Sequence, residues 1–94
     1  MSGNIKINPQ IAQGTEGVFG NQAVELQGLI SKINSEVTAN VGSGKPGWEG
    51  AQADAFVSAW ENEFKTALNK LVMALNDAKS LLNKTIAAYQ QLDS

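Results

Sequence analysis

The 94-residue sequence contains no cysteine, no histidine and no arginine. Without cysteine there are no disulfides and no thiolate, and without histidine the nucleophile–histidine pairs of hydrolases and the Glu-x-x-His ligands of di-iron bundles are missing. Glu61 and Glu63 are two residues apart on a predicted helix, so they cannot share a proton or a metal, and Glu61 is expected to pair with Lys65. We therefore expect no enzymatic activity, no metal and no other cofactor.

Basic residues are also scarce, since seven lysines stand against nine acidic residues for a formal net charge of -2. Nucleic-acid recognition depends on clustered basic residues, and on arginine above all. No apolar run approaches the ~20 residues that span a bilayer, and the N-terminus lacks the apolar segment of a signal peptide. The sequence predicts no nucleic-acid partner, no stable membrane insertion, and either a cytoplasmic location or export without a cleavable signal peptide.

Glycine and proline are concentrated in one stretch, residues 42–50, which reads GSGKPGWEG. Both residue types oppose the continuation of a helix, so the chain is expected to turn here. Trp48 is unusual in such a loop because its large apolar ring needs a surface to pack against. It either caps the core of its own hairpin or contacts another protein, and the sequence leaves both alternatives open.

The residues before this turn predict one helix over about 8–41. Asn8 is a favoured N-cap and Pro9 suits the first helical position, while the residues from Ile5 to Ile7 alternate like a short extended arm. From Phe19 onward, apolar residues recur every three or four positions, as in a heptad repeat. This seam consists of Phe19, Ala23, Leu26, Ile30, Ile33 and Val37.

The residues after the turn predict a second long helix, over about 51–92, whose apolar positions form two overlapping seams. The first seam consists of Trp60, Phe64, Ala67, Leu71, Ala74, Ala78 and Leu81. The second consists of Phe64, Leu68, Leu71, Leu75, Ala78, Leu82 and Tyr89, with Val72 and Ile86 on its flank. One neighbouring helix covers only a narrow stripe, so an apolar face is left over for a further helix.

These patterns predict an all-α fold, an antiparallel helix-turn-helix hairpin that forms one domain over residues 1–94. The second helix would be roughly 60 Å long, and an exposed apolar flank of that length is unusual on a soluble monomer. We therefore expect two hairpins to dimerise into a four-helix bundle. The expected dimer or partner interface consists of Phe19, Leu26, Ile30, Ile33, Phe56, Trp60, Phe64, Leu68, Leu71, Leu75 and Leu82.

Three features resemble one known family. The tripeptide Trp48-Glu49-Gly50 lies between two predicted helices, and small and aromatic residues follow it at Ala53, Phe56 and Trp60. Residues 5–9, with the sequence IKINP, place an apolar residue shortly before a helix-starting proline. Tyr89 and Asp93 fit a Tyr-x-x-x-Asp/Glu pattern near the C-terminus. Together these features resemble the WXG-100 family, the ESAT-6-like proteins of type VII secretion, along the whole chain.

The resemblance implies a small secreted protein, exported as a folded helical dimer by a type VII (ESX-like) secretion system. It also implies that Trp48, Gly50, Tyr89 and Asp93 form the export signal and bind the secretion ATPase or its machinery. Tyr89 and Asp93 are four residues apart and share one helix face. An aspartate at a helix C-terminus opposes the helix dipole, which argues against a stabilising role for Asp93.

The partner and the site of action stay open at this point. A homodimer is preferred because both halves of the signal are present in one chain, and a heterodimer with another family member is the alternative. The runner-up function is a cytoplasmic coiled-coil adaptor or a chaperone for a co-secreted effector. Many exported members continue past the tyrosine motif with a flexible tail, whereas only Ser94 follows Asp93. The contact that such a tail makes with the export ATPase is then expected to come from the terminal helix or from a partner's tail.

Overall fold

The computed structural model describes residues 6–93, which form a helical hairpin. Its elements, in chain order, are α1 (Pro9–Asn40), an irregular turn over 41–50, α2 (Ala51–Ala59), a π-helical turn (Trp60–Phe64) and α3 (Lys65–Asp93). α1 packs along α3, and the described residues contain no β-strand. The predicted all-α hairpin is confirmed. In the predicted N-terminal arm, Ile5 lies outside the described residues.

The start of α1 is fixed by the residue types at its first positions. The Asn8 side-chain oxygen accepts hydrogen bonds from the backbone N–H groups of Gln10 and Ile11, at 3.1 and 3.2 Å. Pro9 occupies the first turn, where its missing N–H leaves no donor unpaired. The predicted N-cap is therefore confirmed.

The core of the hairpin is a thin line of side chains between α1 and the returning helix. Its central cluster consists of Ala23, Ile30, Val37, Trp60 and Val72. The three members from α1 are seven residues apart, as the predicted heptad seam requires. Half-buried apolar residues extend the cluster on both sides, so each helix contributes one inward-facing stripe.

The returning helix is interrupted at Trp60–Phe64 by a single π-helical turn. The backbone N–H of Lys65 donates to the carbonyl of Trp60, five residues back, instead of four as in an α-helix. This turn therefore contains one residue more than an α-helical turn. The sequence pattern did not indicate the interruption, because no glycine or proline lies there and apolar residues continue through it.

The hairpin is a flat rod that measures 64 × 23 × 13 Å. Its smallest dimension is close to the diameter of a single helix with its side chains, about 10–12 Å. The two helical arms therefore lie side by side in one layer. Both broad faces of this layer are open, and the side chains on them are covered only by their neighbours.

Candidate functional site

The turn between the arms is held by backbone hydrogen bonds that close its two ends on each other. The carbonyl of Asn40 accepts from the N–H groups of both Gly47 and Trp48, each at 2.9 Å. The carbonyl of Trp48 in turn accepts from the N–H of Gly42 at 2.8 Å. Because both the N–H and the carbonyl of Trp48 are bonded, the backbone that carries its side chain is anchored at the tip of the rod.

The Trp48 ring is half covered by its own hairpin and half open. It lies beside Phe56 of α2, with ring centroids 5.7 Å apart and the planes inclined by 43°, a favourable aromatic contact. The residue nevertheless keeps 44% of its surface exposed. The sequence left open whether Trp48 packs within its own hairpin or contacts another protein. The structure is compatible with both, because the ring contacts Phe56 and is still partly exposed.

Gly50 and Glu49 contribute to the turn in different ways, through a backbone conformation and through a hydrogen bond. Gly50 precedes α2 with φ 124° and ψ 179°, a backbone region that is essentially restricted to glycine. Apart from Gly50 and its two chain neighbours, no described atom lies within 4 Å of the position that a Cβ on Gly50 would take, so conformation and not crowding requires glycine here. The Glu49 carboxylate accepts from the N–H of Gly44 at 2.8 Å and so ties the second half of the turn to the first.

The second predicted part of the export signal lies at the opposite end of the rod. Tyr89 is half-buried near the end of α3, and Asp93 is the last residue of that helix. Because the rod is 64 Å long and the turn is at its other end, one hairpin does not bring Trp48 and Gly50 together with Tyr89 and Asp93.

The residues predicted at the interface fall into three groups by exposure. Ile30 and Trp60 belong to the core of the hairpin, and only 3% of Trp60 is exposed. Phe64 and Leu71 each keep 49% of their surface exposed. The half-buried group consists of Phe19, Leu26, Ile33, Phe56, Leu68, Leu75 and Leu82. Within this set, the strongest candidates for contact with a partner are therefore Phe64 and Leu71.

An open apolar groove of about 410 Å³ lies on one broad face. Its walls are Gln22, Glu25, Leu26 and Leu29 from α1 with Leu71 and Leu75 from α3. These residues lie about midway along both arms, so the groove is at the middle of the rod. The sequence pattern did not single out Leu29, although it follows Leu26 by three residues and Val18 by eleven, spacings that put all three near one helix face.

A polar link joins the two arms beside the π turn. The Asn34 Oδ1 atom accepts from Trp60 Nε1 at 3.0 Å and from the Lys65 ammonium at 3.3 Å. Lys65 also forms the predicted ion pair with Glu61, at 2.8 Å. Asn34 was not predicted, because its partners are 26 and 31 residues away in sequence and short-range spacing cannot indicate them.

These features define a class of protein, a two-helix hairpin whose turn presents a half-exposed tryptophan followed by a conformationally required glycine. Residues 4–94 match the model of the WXG100 family, described as proteins of 100 residues with WXG, and the chain belongs to this family. No curated protein and no solved structure matches the chain significantly. Within residues 6–93, every helix is too short or too polar to cross a bilayer.

Proposed function

We propose that this protein is an ESAT-6-like substrate of a type VII secretion system and leaves the cell as a folded antiparallel homodimer. Family membership supports the secretion route, since WXG100 proteins are typically secreted and typically form dimers. The observation that carries the dimer is the apolar groove at the middle of an otherwise flat, single-layer hairpin. The role is one of binding and export, without catalysis.

The position of the groove favours a second copy of the same chain as its occupant. A two-fold axis through the middle of the rod would superimpose the groove of one protomer on that of the other, which is the self-complementary arrangement of an isologous dimer. Leu29 and Leu71 would then meet their symmetry mates, and the open faces of two hairpins would form the layers of a four-helix bundle.

Two further exposed apolar residues on this face would also come together around the same two-fold axis. Phe64 lies seven residues before Leu71, toward the turn, and Val18 lies eleven residues before Leu29, toward the open end of the rod. Both spacings correspond to whole helical turns, about two and three, so these residues point the same way as the groove. Phe64 of one protomer would reach the end of the groove near Val18 of the other.

The same symmetry would assemble the export signal. In an antiparallel dimer the turn of one protomer lies beside the C-terminal end of α3 in its partner. Each end of the bundle would then combine Trp48 and Gly50 from one chain with Tyr89 and Asp93 from the other. The secretion ATPase would thus read a surface that exists only in the folded dimer, which explains why such a signal is divided between the two ends of one rod.

Light scattering across a concentration series, with circular dichroism on the same samples, tests the dimer. We expect a highly helical species of twice the 10.0 kDa chain mass. A poorly helical monomer would contradict the homodimer and would assign the groove to a different family member. Detection in culture medium without a cytoplasmic lysis marker tests the export, and retention in the cell would favour the adaptor function.

A further inference from the structure

The π turn decides which residues of α3 face α1. Ala53 and Trp60 are seven residues apart and both are buried, so they mark the inward face of the returning helix before and at the π turn. In an uninterrupted α-helix, the next inward positions would be Ala67 and Ala74, yet both are exposed. The half-buried positions lie one residue later, at Leu68, Leu75 and Leu82. The extra residue has therefore rotated the helix by about 100°.

The sequence of α3 is compatible with either phase. One candidate seam is exposed in this structure and contains Phe64, Ala67, Leu71, Ala74 and Leu81. The other faces α1 and contains Leu68, Val72, Leu75, Leu82 and Ile86. Both seams are apolar, so hydrophobic pattern alone does not choose between them. The choice depends on whether the π turn is present.

Asn34 bonds to the π turn at its first residue and at the residue just after it. The Asn34 Oδ1 atom accepts from Trp60 Nε1 and from Lys65 Nζ, five residues apart. In an α-helix, with about 3.6 residues per turn, such residues point about 140° apart, whereas the extra residue of one π turn reduces this angle to about 40°. The smaller angle places both side chains on the side of the helix that faces Asn34, where its oxygen accepts from both. Glu61 holds Lys65 in place from the same turn.

We propose that Asn34 is a positioning residue that holds the π turn, and that the π turn sets which seam of α3 packs inside the hairpin and which seam is offered to a partner. The second half of this inference rests on the proposed dimer, because it takes the Phe64–Leu71 seam to be the partner-facing one. The first half concerns the hairpin alone.

The test uses intrachain disulfides, which is possible because the chain has no cysteine of its own. One reporter combines Ala23→Cys with Leu75→Cys, two positions of the present core and its border. The other combines Ala23→Cys with Ala74→Cys, one residue earlier in the exposed seam. Oxidation yields within the chain are measured by mass in three backgrounds: the natural sequence, Asn34→Leu, and Asn34→Asp. The last of these retains an oxygen acceptor.

In the natural background we expect the Leu75 reporter to close and the Ala74 reporter to close poorly. Asn34→Leu should shift the ratio of yields toward the Ala74 reporter, whereas Asn34→Asp should leave it unchanged. If Asn34→Leu remains fully helical and keeps the natural ratio, the proposal is overturned.

Deletion of Glu63 keeps the test decisive if Asn34→Leu loses its helical structure. With one residue fewer, a regular α-helix brings Leu75 inward without any π turn, so Asn34 is no longer needed to hold one. We expect the deletion to restore both helicity and closure of the Leu75 reporter in the Asn34→Leu chain. A failure to restore them would make Asn34 a general structural residue and would refute the proposed role.

These results are separable from those that test the dimer. The reporters close within one chain, so their ratio reads the phase of α3 whether or not two chains associate. A monomer by light scattering with a reversed reporter ratio in Asn34→Leu would refute the dimer and support the role of Asn34. A dimer with an unchanged reporter ratio in Asn34→Leu would support the dimer and refute the role of Asn34.

Discussion

At the scale of single residues, two glycines of this chain make opposite contributions to stability. Gly50 has a backbone conformation that other residues adopt only under strain, and replacing it with alanine is expected to cost about 1–3 kcal/mol. Gly28 lies inside α1, and apart from its chain neighbours and the adjacent backbone of that helix no described atom is within 4 Å of the position that an added Cβ would take. Gly28→Ala should therefore stabilise the fold by up to about 1 kcal/mol through helix propensity.

Urea denaturation, monitored by circular dichroism, measures the change in the free energy of unfolding for both variants. The protein concentration is kept equal, because association would raise the apparent stability. The two variants add the same methyl group, so their comparison isolates the backbone effect. Equal effects of the two substitutions would mean that Gly50 has no special conformational role, and that its place in the Trp-x-Gly motif must be explained by contact with a partner.

At the scale of elements, the first turn of α1 depends on one side chain. Asn8→Ala removes the acceptor for the N–H groups of Gln10 and Ile11 and should cost about 1 kcal/mol. Asn8→Ser retains a capping oxygen and should stay close to the natural stability. Amide hydrogen exchange at Gln10 and Ile11 should accelerate in the alanine variant only. Acceleration in both would show that the turn frays for other reasons.

The helical elements could be predicted from the sequence, but the phase of the last one could not. The heptad positions of α1, the Asn8 cap and the Glu61–Lys65 pair all depend on residues within one or two turns, so short-range spacing indicates them. The π turn depends on Asn34, which belongs to the other arm. With apolar residues on both seams of α3, the local pattern fits two phases, and only tertiary packing distinguishes them.

The candidate site was predictable to a similar degree. Trp48 and Gly50 stand out because a large ring and repeated glycines interrupt two helical patterns. The groove at the middle of the rod was harder to predict from the sequence, since its α1 wall includes the polar residues Gln22 and Glu25. Its position emerges only when the two arms are aligned side by side.

At the scale of the whole molecule, the groove makes a direct prediction about association. Leu71→Lys places a charge on one wall of the groove, while Leu71 is already half exposed in the single hairpin. Dimerisation would bury only the half of Leu71 that is still exposed, which is worth about half of the ~1.5–3 kcal/mol of a fully buried leucine in each chain. With two such residues in each dimer, the dissociation constant should rise by roughly ten- to a hundredfold. Val24→Lys is the matched control, because Val24 is exposed but does not line the groove.

Sedimentation or light scattering over a dilution series measures this difference. The expected result is dissociation of the Leu71→Lys protein at concentrations where the Val24→Lys protein remains dimeric. If both variants dissociate alike, the association is a general effect of surface hydrophobicity. If neither does, the groove does not lie in the dimer interface.

The proposed antiparallel dimer also predicts that export-defective chains can rescue each other. Trp48→Ala and Asp93→Ala should each block export when expressed alone, because every bundle end then lacks one half of the signal. In a mixed dimer, one end combines the two altered residues, but the other combines the natural Trp48 of one chain with the natural Asp93 of its partner. Co-expression should therefore restore part of the export.

Differently tagged copies of the two variants, followed in culture medium against a lysis marker, measure this rescue. Adding Leu71→Lys to both chains is the control, since weaker association should abolish the rescue. Absence of rescue despite demonstrated mixed dimers would mean that each chain carries its signal alone, because neither variant contains both natural residues. Rescue that depends on association would instead place the recognised surface across the two chains, at an end where the turn of one hairpin meets the last helix of the other.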